Sequence, residues 1–179
     1  CVWQQQGLDL RVSINISPRQ LRTAIFMPVF EALLKNATAD VSRLEIELTE
    51  DVFLGSGAEI AVALEKIKTY GISIAIDDFG TGYSSLGYLK YLPIDRLKID
   101  KSFVNNGFDD IAEEAITRTI IILAHSLGLH VIAEGVETAQ QLAFLREHGC
   151  EEVQGYYYSK PVPADQISEF SRRCGVAPR

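Results

Sequence analysis

Two adjacent aspartates, Asp77 and Asp78, have the clearest potential for chemistry in this sequence. They follow a segment in which Ile72, Ile74 and Ile76 alternate with small or polar residues, a period of two that is typical of a β-strand. Glycines and a polar loop come directly after them, so the strand must end there. Burying two carboxylates at the end of an apolar strand is costly unless a cation neutralises them. The pattern therefore predicts a divalent metal at the C-terminal end of this strand.

Five other segments show the same arrangement of an apolar strand that ends in a chemically reactive residue. These strands are predicted over Arg11–Ser17, Arg43–Glu50, Arg96–Asp100, His130–Gly135 and Glu151–Tyr157. In each strand, one residue near the C-terminal end breaks the apolar pattern. With the strand that carries Asp77 included, the six residues at the strand ends are Asn15, Glu47, Asp77, Lys98, Glu134 and Gln154.

Predicted helices separate these strands, over Pro18 to about Asn36, Ser56–Tyr70, about Phe108 to Leu127 and Thr138–His148. Such alternation calls for a parallel sheet with right-handed crossovers, within one domain covering residues 1–179. A doubly wound open sheet concentrates its site at one switch point, whereas a TIM-type barrel gathers residues from many strand ends. Six reactive strand ends favour the (β/α)8 barrel, with about six of its eight units present. The remaining two strands are expected upstream of Cys1.

The predicted rim is rich in hard oxygen ligands. Four carboxylates and one amide oxygen suit Mg²⁺ or Mn²⁺ rather than zinc. Adjacent Asp77 and Asp78 would allow a second ion about 3.5–4 Å from the first, an arrangement used in phosphoryl chemistry. Lys98 brings a positive charge to the same rim, where it could hold an attacking water or help to neutralise a transition state.

Composition excludes several other classes of function. A formal net charge of −7 without a basic stripe argues against binding to a nucleic-acid polymer. Three widely spaced cysteines without a CxxC pair favour a reducing compartment, which predicts a cytoplasmic protein. The longest apolar run, residues 120–124, is far too short to span a bilayer, so any membrane tether of the parent protein would lie outside this chain.

The ordered motifs closely resemble the EAL domain family, which hydrolyses the bacterial second messenger cyclic di-GMP. The matching motifs begin at Asn15 (NISP), Glu47 (ELTE), Asp77 (DDFGTGYSSL), Leu97 (LKID), Ala133 (AEGVE) and Gln154 (QGYYYSKP). The resemblance covers essentially the whole chain. It implies a modified (β/α)8 barrel with one antiparallel strand, in which two Mg²⁺ or Mn²⁺ ions support cleavage of one phosphodiester to linear pGpG.

The resemblance also implies a role for each matching residue. Metal ligands would be Asn15, Glu47, Asp77, Asp78 and Glu134. Glu134, Lys98 and Asp78 would act in catalysis, with Lys98 contacting the nucleophilic water and Glu134 serving as general base. Gln154, Gly155 and Tyr156 would contact substrate. Glu50 would stabilise the loop after the aspartates, and Glu137 and Asp100 would support the ligands from behind.

The implied partners are cyclic di-GMP, a second copy of the chain and fused regulatory domains. The homodimer would form through the loop and helix after Asp78, and sensory or diguanylate-cyclase domains would lie upstream. The Glu-Ala-Leu signature and its nearby arginine are absent from these residues, because the family places them on a strand before this chain begins. An impaired cyclic di-GMP receptor or scaffold is therefore the alternative function. An unrelated metal-dependent barrel, such as an enolase-type lyase, would leave DDFGTGYSSL and QGY unexplained.

Overall fold

Six β-strands form one sheet in the part of the chain that the structure describes. The computed structural model describes residues 2–53, 57–82, 86–105 and 111–173. The strands are β1 (Val12–Asn15), β2 (Leu44–Thr49), β3 (Ser73–Phe79), β4 (Arg96–Ile99), β5 (His130–Ala133) and β6 (Glu152–Val153).

Each strand pairs in parallel with the strand that follows it in the chain, in the order β1-β2-β3-β4-β5-β6. A doubly wound sheet would reverse its strand order at a switch point. This sheet does not, and it curls so that its first and last strands approach each other. Arg11, just before β1, lies 3.8 Å from Glu152 of β6, measured from Nη1 to Oε1. The predicted α/β architecture of the barrel type is confirmed as a curled half-barrel, whose six described strands are all parallel.

Helices connect the strands and cover the outer face of the sheet. They are α1 (Val2–Gln5), α2 (Pro18–Leu21), α3 (Phe26–Lys35), α4 (Gly57–Lys68), α5 (Leu86–Leu89), α6 (Ile111–Ser126), α7 (Ala139–Glu147) and α8 (Ile167–Arg173). Within the described ranges, none of the helices is both long and apolar enough to cross a membrane.

Two predicted elements were wrong in extent. The helix predicted from Pro18 to Asn36 is two helices, because the backbone N–H and hydroxyl of Thr23 both donate to the Gln20 carbonyl and close the first helix. The strand predicted over residues 151–157 ends at Val153. Beyond it, the chain folds around Val136, whose N–H donates to the carbonyl of Gln154 and whose carbonyl accepts from Tyr157.

The two faces of the sheet differ in chemistry because side chains alternate along each strand. On the outer face, Ile46, Ile74 and Leu97 are buried in a hydrophobic cluster that also contains Leu64 of α4 and Ile121 of α6. The inner face carries buried charged residues instead, which are Glu45, Glu47, Arg96 and Lys98. The apolar core therefore lies between sheet and helices, while the interior of the half-barrel is polar.

Candidate active site and metal centre

The ammonium of Lys98 lies at the centre of an acidic cluster on the inner face of the sheet. Its Nζ atom lies 3.0 Å from Glu47 Oε1, 2.9 Å from Asp77 Oδ1 and 2.7 Å from Glu134 Oε1. The acids belong to β2, to β3 and to the residue after β5, so separate strands deliver them to one point. The structure thus brings together four of the residues that the sequence predicted to share a rim. We call these four residues the Lys98 cluster.

Charge within the Lys98 cluster is unbalanced. Burial by itself would lower the pKa of Lys98, but hydrogen bonds to Glu134, Asp77 and Glu47 outweigh burial and raise that pKa above its ordinary value. Burial raises the pKa of Glu134, and Asp77 and Glu47 raise it further, against the opposing effect of Lys98. One ammonium cannot neutralise three carboxylates, so excess negative charge remains. That excess favours binding of a divalent cation.

A group of three carboxylates has the geometry of a metal site. Asp77, Asp78 and Glu134 each offer an oxygen, and these oxygens lie within 4.8 Å of one another. The register between β3 and β4 shifts after Ile76, and Asp78 adopts a left-handed backbone with φ of 53°. Bulges of this kind redirect side chains beside active sites. This irregular end of β3 therefore directs the side chains of Asp77 and Asp78 toward the same site.

Asp100 lies behind Asp78. Burial opposes ionisation of Asp100, but hydrogen bonds from Ser102 and Asp78 lower its pKa. Burial raises the pKa of Asp78, and the charges of Asp77 and Asp100 raise it further. The side chains of Asp78 and Asp100 therefore contact each other, and this contact shifts their two pKa values in opposite directions. Asp100 thus lies next to a predicted metal ligand, and its supporting role stays a prediction.

Asn15 and Glu47 are opposite each other in the paired strands β1 and β2. Asn15 is exposed at the end of its strand, while Glu47 is buried. The parallel register therefore places the predicted amide ligand beside a carboxylate of the Lys98 cluster. Its role as a metal ligand stays a prediction.

Glu50 anchors the loop that follows the aspartates. Its buried carboxylate accepts hydrogen bonds from the backbone N–H groups of Gly80, at 3.0 Å, and Gly82, at 3.2 Å. Both bonds go to Oε2 and cross from the end of β2 to the end of β3. The role of Glu50 as the acid that stabilises this loop stays a prediction. The predicted dimer surface on this loop includes residues 83–85, which lie outside the described residues.

The residues after β6 form a turn beside Glu134. Gln154 and Tyr156 are exposed there, whereas Gly155 packs against Val136. A Cβ atom on Gly155 would collide with the backbone N and O of Val136, so the close packing requires glycine. Contacts of these residues with substrate stay predictions. Glu137 is exposed, and its backbone N–H donates to the side chain of Gln141 at 2.7 Å.

The short turn after β4 separates the two loops that carry Asp78 and Glu134. On one side, a Cβ at Gly80 would lie 2.8 Å from the Phe103 ring. On the other side, a Cβ at Gly135 would lie 2.5 Å from Lys101 Cβ. Buried Gln141 ties the same turn to the start of α7, because its Nε2 donates to the Val104 carbonyl. The turn thus acts as a spacer that sets how far Asp78 lies from Glu134.

Sequence reasoning missed a second set of charged residues in the interior. Glu45, Arg96 and Glu152 form ion pairs below the Lys98 cluster, and Ser13 donates to Glu45. The available signal was a second polar residue two positions before four of the predicted site residues, which are Asn15, Glu47, Lys98 and Gln154.

A parallel half-barrel with acids from several strands around one lysine defines an α/β barrel protein of the TIM type with an acidic rim. Within that class, the chain belongs to the EAL domain family, which it matches over residues 2–161.

Relatives and solved structures agree with this family. The cyclic di-GMP phosphodiesterase NbdA of Pseudomonas aeruginosa is 44% identical over 163 residues, which cover 91% of this chain and 21% of NbdA. The MucR phosphodiesterase of the same species, solved with cyclic di-GMP, is 40% identical with a TM-score of 0.85, covering 93% of this chain and 68% of that one. Klebsiella pneumoniae BlrP1, solved with manganese and cyclic di-GMP, is 28% identical with a TM-score of 0.77, covering 89% and 41%. This chain spans about a fifth of the length of the curated relatives it matches first.

Proposed function

We propose that the protein hydrolyses one phosphodiester bond of cyclic di-GMP and releases linear pGpG. The observation that carries the proposal is the Lys98 cluster, where one buried ammonium meets three carboxylates within 3.0 Å. The likeness to NbdA and to the MucR complex supports the same substrate, because both names include cyclic di-GMP. A protein that only bound the dinucleotide would have no need for this cluster of acids.

The residues present fit Mg²⁺ or Mn²⁺. Asp77, Asp78 and Glu134 would provide ligand oxygens, and Glu47 with Asn15 would extend the same oxygen-rich site. Asp78 would be the ligand of a second ion. The manganese in the BlrP1 complex supports the choice of metal. A divalent ion bound here would act as a Lewis acid on the phosphodiester.

The chain's own groups would then position the reaction. The Nζ atom of Lys98 would hold the attacking water in place and offset negative charge as it develops. Glu134 is suited to accept the proton of that water at a carboxylate oxygen, because burial and its acidic neighbours raise its pKa above its ordinary value. Gln154 and Tyr156, exposed beside Glu134, would contact the substrate, and the ring of Tyr156 offers a surface for a guanine base.

Regulation would come from a second copy of the chain and from fused domains of the parent protein. We propose a homodimer that forms through the loop and helix after Asp78, with Glu50 holding the start of that loop. MucR, which is named a bifunctional diguanylate cyclase and phosphodiesterase, supports fusion to a cyclase domain in the parent protein. The proposed substrate is a bacterial second messenger, so the site would act in the cytoplasm.

The test is chromatographic separation of products after incubation with cyclic di-GMP and Mn²⁺. We expect pGpG from the protein and none from Glu134→Ala, since that change removes both a metal ligand and the proton acceptor. Glu147→Ala makes the same substitution at an exposed position of α7 and should retain full activity. Turnover by a folded, metal-loaded Glu134→Ala protein would refute the assignment. Binding of cyclic di-GMP without turnover by the unmodified protein would instead identify a receptor.

A further inference from the structure

A second ionic cluster lies inside the half-barrel, below the Lys98 cluster. We call it the floor network, and it consists of Ser13, Glu45, Arg96 and Glu152. Ser13 Oγ donates to Glu45 Oε1 at 3.1 Å, and Arg96 Nε lies 3.5 Å from Glu45 Oε2. Nη2 of Arg96 pairs with Oε1 of Glu152. The side chains of Arg96 and Glu45 are only 5% and 3% exposed, whereas Glu152 is 51% exposed and Ser13 is exposed. The Arg96–Glu45 ion pair is therefore the buried part of the network.

Every member of the floor network precedes a predicted site residue by two positions in the sequence. The pairs are Ser13 with Asn15, Glu45 with Glu47, Arg96 with Lys98, and Glu152 with Gln154. Side chains two apart on a strand point to the same face, about 6.5–7 Å from one another. The floor network therefore forms the layer of side chains directly below these four predicted site residues.

Arg96 reaches across the sheet in both directions. It lies on β4, whereas Glu45 lies on β2 and Glu152 on β6, so each contact passes over an intervening strand. Strands are about 4.8 Å apart, so each contact spans roughly 10 Å between backbones. The residue opposite Arg96 on β3 is Ala75, which is small enough to leave space for the long side chain. One guanidinium thus links three alternate strands.

Stability alone does not account for a buried ionic layer. Interior layers of TIM-type barrels are commonly built from bulky branched residues contributed by alternate strands. Replacing a buried ion pair by apolar residues of similar volume is often neutral or stabilising. What ion pairs add is geometric selectivity, because one guanidinium can reach Glu45 and Glu152 together only at one register of the strands, even though its contact with Glu45 is ionic and not a hydrogen bond.

We propose that Arg96 is a positioning residue of the active site. Held between Glu45 and Glu152, it fixes the relative heights of β2, β4 and β6 and so brings Glu47, Lys98 and Gln154 to one level. Its consequence for hydrolysis rests on the proposed function, but its consequence for the geometry of the Lys98 cluster does not.

The decisive variant replaces the floor network by an apolar layer, as Glu45→Leu, Arg96→Met and Glu152→Leu together. We expect this protein to unfold at no lower temperature than the unmodified protein. We also expect its Mn²⁺ affinity, measured by calorimetry, and its kcat for cyclic di-GMP to fall about 10- to 100-fold, as when residues that orient metal ligands are lost. The ¹⁵N resonance of the Lys98 ammonium in metal-free protein should shift, since its carboxylate partners are displaced.

One conservative variant and one control variant complete the experiment. Arg96→Lys keeps the charge but replaces the planar fork by a point charge, so a smaller loss of Mn²⁺ affinity and a smaller shift of the Lys98 resonance are expected. Lys68→Met removes an ion pair with Asp95 outside the interior and should leave both readouts unchanged. An apolar-layer protein as stable as the unmodified one, with unchanged Mn²⁺ affinity and Lys98 resonance, would overturn the proposal. If that variant does not fold, the same unchanged readouts in Arg96→Lys would overturn it.

The readouts also separate this proposal from the proposed function. Should the unmodified protein fail to cleave cyclic di-GMP, the proposed function fails. Mn²⁺ affinity and the Lys98 resonance still test the role of Arg96 in that case, because neither measurement requires substrate.

Discussion

Replacing Lys98 by methionine removes the ammonium of the Lys98 cluster while keeping most of the side chain's length. Three carboxylates would then remain within a few ångströms of one another without their shared cation. Removing one partner from a buried ion pair costs about 3–5 kcal/mol. In a protein of this size, each kcal/mol lowers the unfolding midpoint by about 2–4 °C, so we expect a loss of about 6–20 °C in metal-free protein.

Binding of a divalent metal ion should restore much of the lost thermal stability. The carboxylates that pair with Lys98 are also the predicted ligands, so a divalent cation can take over the neutralising role. We therefore expect Mn²⁺ to raise the unfolding midpoint of Lys98→Met more than that of the unmodified protein. Hydrolysis should nevertheless fall about 10²–10³-fold, as when one electrostatic contact to a transition state is removed.

The assay is thermal unfolding followed by circular dichroism, in EDTA and in Mn²⁺, with Lys68→Met as the matched control. Lys68 pairs with Asp95 at a partly exposed position, where an ion pair is worth about 0–1 kcal/mol. The control should therefore lose little stability in either buffer. Equal destabilisation of Lys98→Met with and without Mn²⁺ would show that ammonium and metal do not share these carboxylates, which would refute the reasoning.

Three further predictions follow from particular contacts. Glu50→Gln should speed amide hydrogen exchange at Gly80 and lower the free energy of unfolding by about 1 kcal/mol, because the Gly80 and Gly82 N–H groups then donate to a neutral amide oxygen instead of a carboxylate. Gly155→Ala should destabilise by about 1–3 kcal/mol and reduce hydrolysis, because its methyl group collides with the Val136 backbone. Burial raises the pKa of Cys150 to about 12, so its thiol should resist alkylation at pH 8. Its contribution to stability should be complete below about pH 8.5 and should be lost as pH rises toward 12.

Matched controls accompany these predictions. Asp51→Asn changes an exposed acid beside Glu50 and should leave amide exchange unaltered. Gly87→Ala adds a methyl group with no atom within 4 Å and should be tolerated. Alkylation is best followed after Cys1 and Cys174 are changed to serine, with denatured protein as the positive control. Rapid native labelling of Cys150, or full stability of Gly155→Ala, would contradict the contacts from which these predictions were drawn.

The sequence by itself determined which residues end the strands and what chemistry they could perform. Asn15, Glu47, Asp77 and Lys98 were recognisable because each breaks a period-two apolar pattern, a local property of the chain. Their convergence was also predictable, because parallel strands place their C-terminal ends along one edge. The motifs beginning at these positions then identified the family.

The periodicity of the sequence was less informative at the ends of helices and strands, where specific hydrogen bonds decide which residue ends the element. The division between α2 and α3 depends on Thr23 closing a helix that propensity would have continued. The early end of β6 depends on the Gln154 carbonyl bonding to Val136, which is distant in sequence. Neither contact leaves a periodic signal, so both boundaries were mispredicted.

Only the tertiary structure decided which charges meet. Lys98 pairs with acids from strands on both sides of β4, and Arg96 does so one layer below. These pairings depend on the register of strands separated by tens of residues and on the curl of the sheet. A one-residue shift in register would turn the same side chains to the opposite face. The acids could be read from the sequence, but the arrangement that makes them a site is a property of the folded sheet.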